Sequence, residues 1–129
     1  MRLAGADQNE RPVVCVDLDG VLNTYDEWRG PEFFHPPREG AREFLESLHS
    51  GGYRVVVFTV RWHEWVRAWL DKNGLGEFVD DVTDRKPPAI AYVDDRAVCF
   101  RGDFEATLVY YQALELLRDR SRVEPALRA

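Results

Sequence analysis

Short apolar runs alternate along the chain with segments in which apolar residues recur at helical spacing. The runs at 13–17 and 54–59 are rich in valine, which is typical of strands buried on both faces of a sheet. A weaker run at 79–82, a clearer one at 90–94 and a short one at 97–100 predict three further strands, the last at a sheet edge.

Three segments carry the helical pattern. Residues 39–49 and 62–73 place apolar side chains on one helical face, and a last helix is predicted over 104–118 with Asp103 as its N-cap. Strands that alternate with helices predict βαβ units. We therefore expect an α/β fold, a three-layer α/β/α Rossmann-like parallel sheet of about five strands, in a single domain.

Domain organisation follows from length and from the polar ends. The 129 residues suit one domain. We predict a flexible N-terminal tail at 1–11, a single folded domain at 12–120 and a C-terminal tail at 121–129.

Composition narrows the functional classes. Hydrophobic residues make up 45% of the chain, which excludes wholesale disorder. With 23 acidic residues, 17 basic residues and a net charge of −6, a whole-surface nucleic-acid binder is disfavoured. No run approaches the roughly 18 apolar residues of a membrane span. The first residues lack the apolar core of a signal peptide, so we expect a cytoplasmic protein without a membrane partner. Cys15 and Cys99 are predicted to be small buried thiols.

Polar side chains collect where the predicted strands end. In parallel α/β sheets, ligands bind beyond the carboxyl ends of the strands. The residues at these ends include four acids, a threonine, a lysine and an arginine: Asp17, Asp19, Thr59, Arg61, Lys86, Asp94 and Asp95.

This set has a recognisable chemistry. Carboxylates in a partly dry site do not all stay ionised without a cation, and Mg²⁺ prefers carboxylate oxygens in sites shared with phosphate. A lysine and a threonine are suited to holding phosphoryl oxygens. One carboxylate can attack phosphorus while another acts as general acid and base.

The pattern resembles the haloacid dehalogenase superfamily of phosphohydrolases, in its capless branch, which implies that the domain at 12–120 is a phosphatase domain of that kind. The resemblance rests on Asp17-Leu18-Asp19-Gly20-Val21, a strand ending in Thr59, then Lys86, then an apolar run ending in Asp94-Asp95. It implies that Asp17 is the nucleophile and that Asp19 is the general acid and base, with its carbonyl on the metal. It implies that Thr59 and Lys86 bind phosphate, and that Asp17, Asp94 and Asp95 hold Mg²⁺, Asp95 directly or through water.

The gaps between these motifs are too short for a cap domain. Residues 23–38 offer only a loop with aromatic and basic side chains, and we predict that Trp28 and Arg29 of this loop, with Arg61, bind substrate. A capless site stays open, so it can take a large substrate or be covered by a second subunit. A homo-oligomer is therefore a candidate state.

Plainer interpretations stand beside these. Asp17 and Asp19 can cap a turn, and Thr59 can be an ordinary strand residue. Lys86 can be a solvated charge, and Lys72 is the other lysine considered for phosphate binding. An EF-hand fails because Val21 and Leu22 stand where ligands are needed.

The leading functional prediction is a Mg²⁺-dependent phosphomonoester hydrolase that forms an aspartyl-phosphate on a phosphorylated metabolite. The first alternative is a nucleotide or polynucleotide-end phosphatase, which makes nucleic acid a less favoured partner than a small phosphorylated substrate. The second alternative is a non-catalytic phosphate-binding domain of the same fold.

Overall fold

The computed structural model describes residues 10–110 together with 112, 113 and 115. The chain divides into two compact units, one ending at Asp95 and the other beginning at Arg96. All the residues singled out above for chemistry belong to the first unit. The predicted division into tails and one domain stays a prediction, and the predicted boundary at 120/121 lies outside the described residues.

Within residues 10–95, the described part of the first unit, there are four strands and two α-helices. The strands are β1 (Val13–Asp17), β2 (Arg54–Phe58), β3 (Asp81–Thr83) and β4 (Ala91–Val93). The helices are α1 (Ala41–Ser50) and α2 (His63–Lys72). A wide turn, Leu18–Leu22, follows β1, and a short 3₁₀ turn, Gly76–Phe78, precedes β3.

The strands form one sheet in the order β3-β2-β1-β4, and every neighbouring pair is parallel. Asp17 at the end of β1 lies opposite Phe58 at the end of β2. Val16 lies opposite Val93 at the end of β4. The fold is thus a mixed α/β fold whose parallel sheet fits Rossmann-like folds.

The expected strand count of about five is wrong for the described residues, which contain four strands. The run at 97–100 is irregular, and Ala97, Cys99 and Phe100 in it are exposed. A strand gains its stability from pairing and from burying a face, and this run buries little. The exposed Cys99 also contradicts the prediction of two buried thiols, which holds for Cys15.

Both helices cover the same face of the sheet. Val14 pairs with Val55 and Val16 pairs with Val57, so these four side chains share one face. They form a single core with side chains of both helices, chiefly Leu45, Val66 and Leu70. On the opposite face, Cys15 and Val56 are buried as well.

Helix boundaries differ slightly from the predicted ones. The helix expected over 39–49 begins at Ala41, because Gly40 has a φ of +87° and cannot continue a helix. In the second unit, residues 104–110 are helical, and the Asp103 side chain accepts a hydrogen bond from the Ala106 amide at 3.1 Å, which confirms the N-cap. The rest of the helix predicted to 118 falls largely outside the described residues.

Candidate functional site

The wide turn after β1 presents the first two carboxylates. The Asp17 side chain accepts a hydrogen bond from the Leu18 amide at 3.0 Å, which fixes one of its oxygens. Gly20 then turns the chain with a φ of +88°, a conformation that favours glycine. The Asn23 side-chain oxygen accepts from the Gly20 amide at 3.0 Å and from the Tyr25 amide at 3.1 Å. The Asn23 side chain therefore fixes the backbone at Gly20, inside the turn, and at Tyr25, just after it.

Three carboxylates converge beside this turn. β4 pairs with β1, so Asp94 and Asp95, which follow β4, come next to Asp17. One carboxylate oxygen from each of the three lies within 4.8 Å of the others. Gly20 packs so closely that a Cβ atom there would lie 2.8 Å from the carboxyl carbon of Asp95.

Burial and the neighbouring carboxylates make the charged form of Asp17 unfavourable. Partial burial, and next to it the charge of Asp94, raise the pKa of Asp17 from 3.8 to about 6. The Leu18 amide acts in the opposite direction, and the charges of Asp95 and Asp19 add to the rise. A cation between the carboxylates would relieve this repulsion. An all-oxygen donor set of this size suits Mg²⁺, so the residues present fit the ion that the sequence predicts.

The Asp19 carboxyl is bound by two nitrogen donors. Its Oδ1 accepts a hydrogen bond from Asn23 Nδ2 at 2.9 Å. Its Oδ2 accepts from Arg61 Nε at 2.8 Å, in an ion pair with an arginine side chain that is only 2% exposed. Both carboxylate oxygens of Asp19 are thus oriented.

Thr59 lies directly after β2 and is buried. Its amide donates to the Thr83 carbonyl at 2.9 Å, and its hydroxyl oxygen accepts from the Arg61 amide at 3.1 Å. These contacts hold Thr59 at the carboxyl edge of the sheet, beside Asp17 through the pairing of β1 with β2.

Lys86 is exposed, and its ammonium lies 4.4 Å from the centre of the Tyr92 ring on β4. Tyr92 is the partner of Cys15 in the sheet, which puts Lys86 on the Cys15 face. Burial, and next to it the charge of Asp17, raise the pKa of the Cys15 thiol, while Lys86 lowers it.

The loop between the wide turn and α1 carries the two other predicted substrate residues. Trp28 is 59% exposed and its ring lies 4.9 Å from the Arg61 guanidinium carbon. Arg29 pairs with Asp26 at 3.3 Å and with Glu27 at 3.4 Å, so it is tied within the loop. The loop closes on itself where the Thr24 amide donates to the Pro36 carbonyl at 3.0 Å.

The structure therefore gathers Asp17, Asp94 and Asp95 in one cluster, and joins Asp19 to Arg61 next to it. The roles assigned to these residues stay predictions. Asn23, which is fully buried, was missed. An Asn in a loop just after an Asp-x-Asp-Gly turn is a signal for side-chain bonding to the backbone, and it could have drawn attention to this position.

No family model matches this chain, and no curated protein matches it. Among solved structures, the chain is similar to a conserved protein of Bacteroides thetaiotaomicron, with a TM-score of 0.54 and 20% sequence identity. The match covers 82% of this chain and 91% of the other. A likeness at this identity shows the shared fold.

Among residues 10–110, 112, 113 and 115, no helix has both the length and the apolar character needed to cross a membrane. The predicted cytoplasmic location and homo-oligomeric state stay predictions.

Proposed function

We propose that the protein is a Mg²⁺-dependent phosphomonoester hydrolase of the haloacid dehalogenase superfamily, acting through an aspartyl-phosphate on Asp17. The observation that carries the proposal is the convergence of Asp17, Asp94 and Asp95 within 4.8 Å at the carboxyl edge of a parallel sheet. The oriented Asp19 and the buried Thr59 beside them support it.

The three-layer α/β/α arrangement of that superfamily is part of the same proposal. α1 and α2 cover one face of the sheet. The burial of Cys15 and Val56 on the other face supports a covering layer there too.

In the first half of the reaction, a carboxylate oxygen of Asp17 forms a bond to phosphorus as the bond to the ester oxygen breaks. Asp19 acts as the general acid and transfers a proton to the departing oxygen. In the second half, Asp19 takes a proton from water, the water oxygen bonds to phosphorus, and Asp17 is released as carboxylate with inorganic phosphate.

The other residues act on charge and position. Mg²⁺, when bound by Asp17, Asp94 and Asp95, supplies positive charge that keeps Asp17 ionised and offsets the charge of the phosphoryl oxygens. The Thr59 hydroxyl can donate to one phosphoryl oxygen while it accepts from the Arg61 amide. Lys86 is the proposed cationic contact to another.

The test is phosphate release from a panel of phosphorylated metabolites, nucleotides and short oligonucleotides, with Mg²⁺ or with EDTA. We expect Mg²⁺-dependent release that falls on the order of 10³-fold or more in Asp17→Asn. Asp81→Asn is the matched control, because Asp81 is an exposed carboxylate at the start of β3. If neither wild type nor Asp17→Asn releases phosphate from any member of the panel, while calorimetry shows Mg²⁺ binding, the non-catalytic alternative is favoured.

A nucleotide or polynucleotide end is the second candidate substrate. The exposed Trp28 ring beside Arg61 favours it, because a flat ring at the edge of the site can stack on a base. Preference for nucleotides over sugar phosphates, lost in Trp28→Ala, would separate this candidate from a sugar-phosphate phosphatase.

A further inference from the structure

Arg61 stands two residues beyond Thr59, and the sequence predicts that it binds substrate. In the structure its side chain is 2% exposed, and its Nε donates to Asp19 Oδ2 at 2.8 Å. A buried guanidinium is costly unless it is paired and hydrogen-bonded, so its partners indicate its role.

The Nη1 atom of the guanidinium binds the loop that follows the wide turn. Arg61 Nη1 donates to the backbone carbonyls of Pro31 at 3.3 Å and of Phe33 at 3.0 Å. Its central carbon also lies 4.9 Å from the Trp28 ring and 4.6 Å from the Phe34 ring. A planar fork can make such a set of contacts at once, whereas a lysine ammonium cannot.

These contacts decide how Asp19 is presented. Asn23 holds Oδ1 at 2.9 Å and Arg61 holds Oδ2 at 2.8 Å. Because Arg61 is itself held by two loop carbonyls and two aromatic rings, the direction of the Asp19 carboxyl is tied to the loop of residues 24–37.

We propose that Arg61 is a positioning residue that aims Asp19 at the leaving-group oxygen and couples Asp19 to the 24–37 loop. The inference rests on the proposed function, in which Asp19 protonates the leaving group. Arg61 thus acts through Asp19, and its effect depends on how much the leaving group needs a proton.

A direct substrate contact is the rival role. Arg61 Nη2 is buried with no hydrogen-bond partner in the described part of the chain, and a substrate oxygen could satisfy it if the loop opened. That role predicts a higher KM for every phosphate ester. The positioning role predicts a loss in kcat that depends on the leaving group.

The experiment compares Arg61→Met with wild type on two substrates, an alkyl phosphate and p-nitrophenyl phosphate. The alkyl alcohol is a poor leaving group that needs the acid, whereas p-nitrophenolate departs without it. We expect kcat to fall about 10²-fold on the alkyl phosphate and less than about threefold on p-nitrophenyl phosphate. Asp19→Asn should show the same pattern more strongly.

Arg42→Met is the matched control. Arg42 also donates to a backbone carbonyl, that of Gly74 at 2.7 Å, pairs with Glu77 at 3.5 Å and lies 5.0 Å from the Phe78 ring, but away from the site. We expect it to leave kcat on both substrates unchanged. Mg²⁺ affinity, measured by calorimetry, should be the same in Arg61→Met and wild type, because Asp17, Asp94 and Asp95 are untouched.

Arg61→Lys covers the case in which Arg61→Met does not fold. Lysine can keep the ion pair with Asp19 but loses the hydrogen bonds to the carbonyls of Pro31 and Phe33. We therefore expect a smaller loss in kcat that is again confined to the alkyl phosphate. Equal losses on both substrates in the folded variant, or a rise in KM alone, would overturn the positioning role. A wild type that releases no phosphate from any ester would instead overturn the proposed function, and the role of Arg61 with it.

Discussion

The environment of Asp17 disfavours its charged form. Its pKa is raised from 3.8 to about 6, first by burial and then by the charge of Asp94. A raised pKa means that the folded protein holds a proton on Asp17 at a pH where the unfolded chain has lost it. The stabilising contribution is therefore present below pH 3.8 and is lost as the pH rises through about 6.

Asp17→Asn should accordingly stabilise the protein in EDTA at neutral pH. The asparagine oxygen can still accept from the Leu18 amide, and it removes the charge that the cluster opposes. We expect the melting temperature of the variant to exceed that of wild type above pH 6, with the difference shrinking toward pH 3.8. Melting curves in EDTA over this range measure it.

Asp26→Asn provides a control of opposite sign. The hydrogen bond from His35, 2.8 Å away, lowers the pKa of Asp26, so its charged form stabilises the fold above pH 3.8. This variant should melt lower than wild type at neutral pH. If the difference in melting temperature between Asp17→Asn and wild type does not change with pH, the raised pKa of Asp17 is contradicted.

Gly20 is a second single residue on which the cluster depends. In Gly20→Ala, the positive φ costs about 1–2 kcal/mol, and the new Cβ also overlaps the Asp95 carboxylate. Gly40→Ala is matched, with a φ of +87° against +88° and nothing within 4 Å of the added atom. We expect both variants to lose stability and Gly20→Ala alone to lose Mg²⁺ affinity. Calorimetric titration measures this affinity, and equal affinities would argue against the placement of Asp95.

Among the elements, the strands follow the local pattern well at the centre of the sheet and poorly at its edges. β1 and β2 occupy nearly the predicted residues because their valine runs are buried on both faces. β3 and β4 are only three residues long, and the run at 97–100 forms no strand. Edge strands depend on a partner that the local sequence does not specify.

A buried ion pair stabilises the end of the sheet at which the strands begin, opposite to the end that carries the candidate site. Arg11 Nη2 lies 3.2 Å from Asp80 Oδ1, and Asp80 Oδ2 accepts from the Val55 amide at 2.8 Å. The two side chains are 8% and 12% exposed. This pair ties the chain before β1 to the residue before β3.

Asp80→Asn should be strongly destabilising, by about 3 kcal/mol or more, because it leaves the Arg11 charge buried without its partner. The neighbouring Asp81→Asn is the control, since Asp81 pairs with Arg54 at 3.7 Å and is 57% exposed. It should cost less than about 1 kcal/mol. Urea unfolding measures both free energies.

Arg11→Met combined with Asp80→Asn completes the test. The double variant should be less destabilised than the sum of the single ones, because no unpaired charge remains. Strict additivity would mean that the pair has no energetic coupling.

At the scale of the whole molecule, metal binding should act as a stabilising ligand. An ion that binds only the folded protein adds about 2.7 kcal/mol at a concentration of 100 Kd. We expect Mg²⁺ to raise the melting temperature of wild type and to have little effect on that of Asp94→Asn, which loses one of the three carboxylates. Equal Mg²⁺ shifts in both proteins would place the ion elsewhere.

The sequence by itself determined which residues stand at the carboxyl ends of the central strands. In a parallel sheet these ends share one edge, so the sequence alone groups Asp17, Thr59 and the Asp94-Asp95 pair. The physical reason is that apolar periodicity is local and is set by burial of the strand itself.

Only the tertiary structure decided how these residues meet. The pairing of β4 with β1 brings Asp94 and Asp95 to Asp17, and the Arg61 side chain turns inward to reach Asp19, 42 residues earlier in the chain. Strand order and buried ion pairs arise from contacts between segments far apart in sequence, and no local pattern encodes them. Arg61 therefore stood out in the sequence as a basic residue near a strand end, whereas its burial and its partners emerged only from the folded chain.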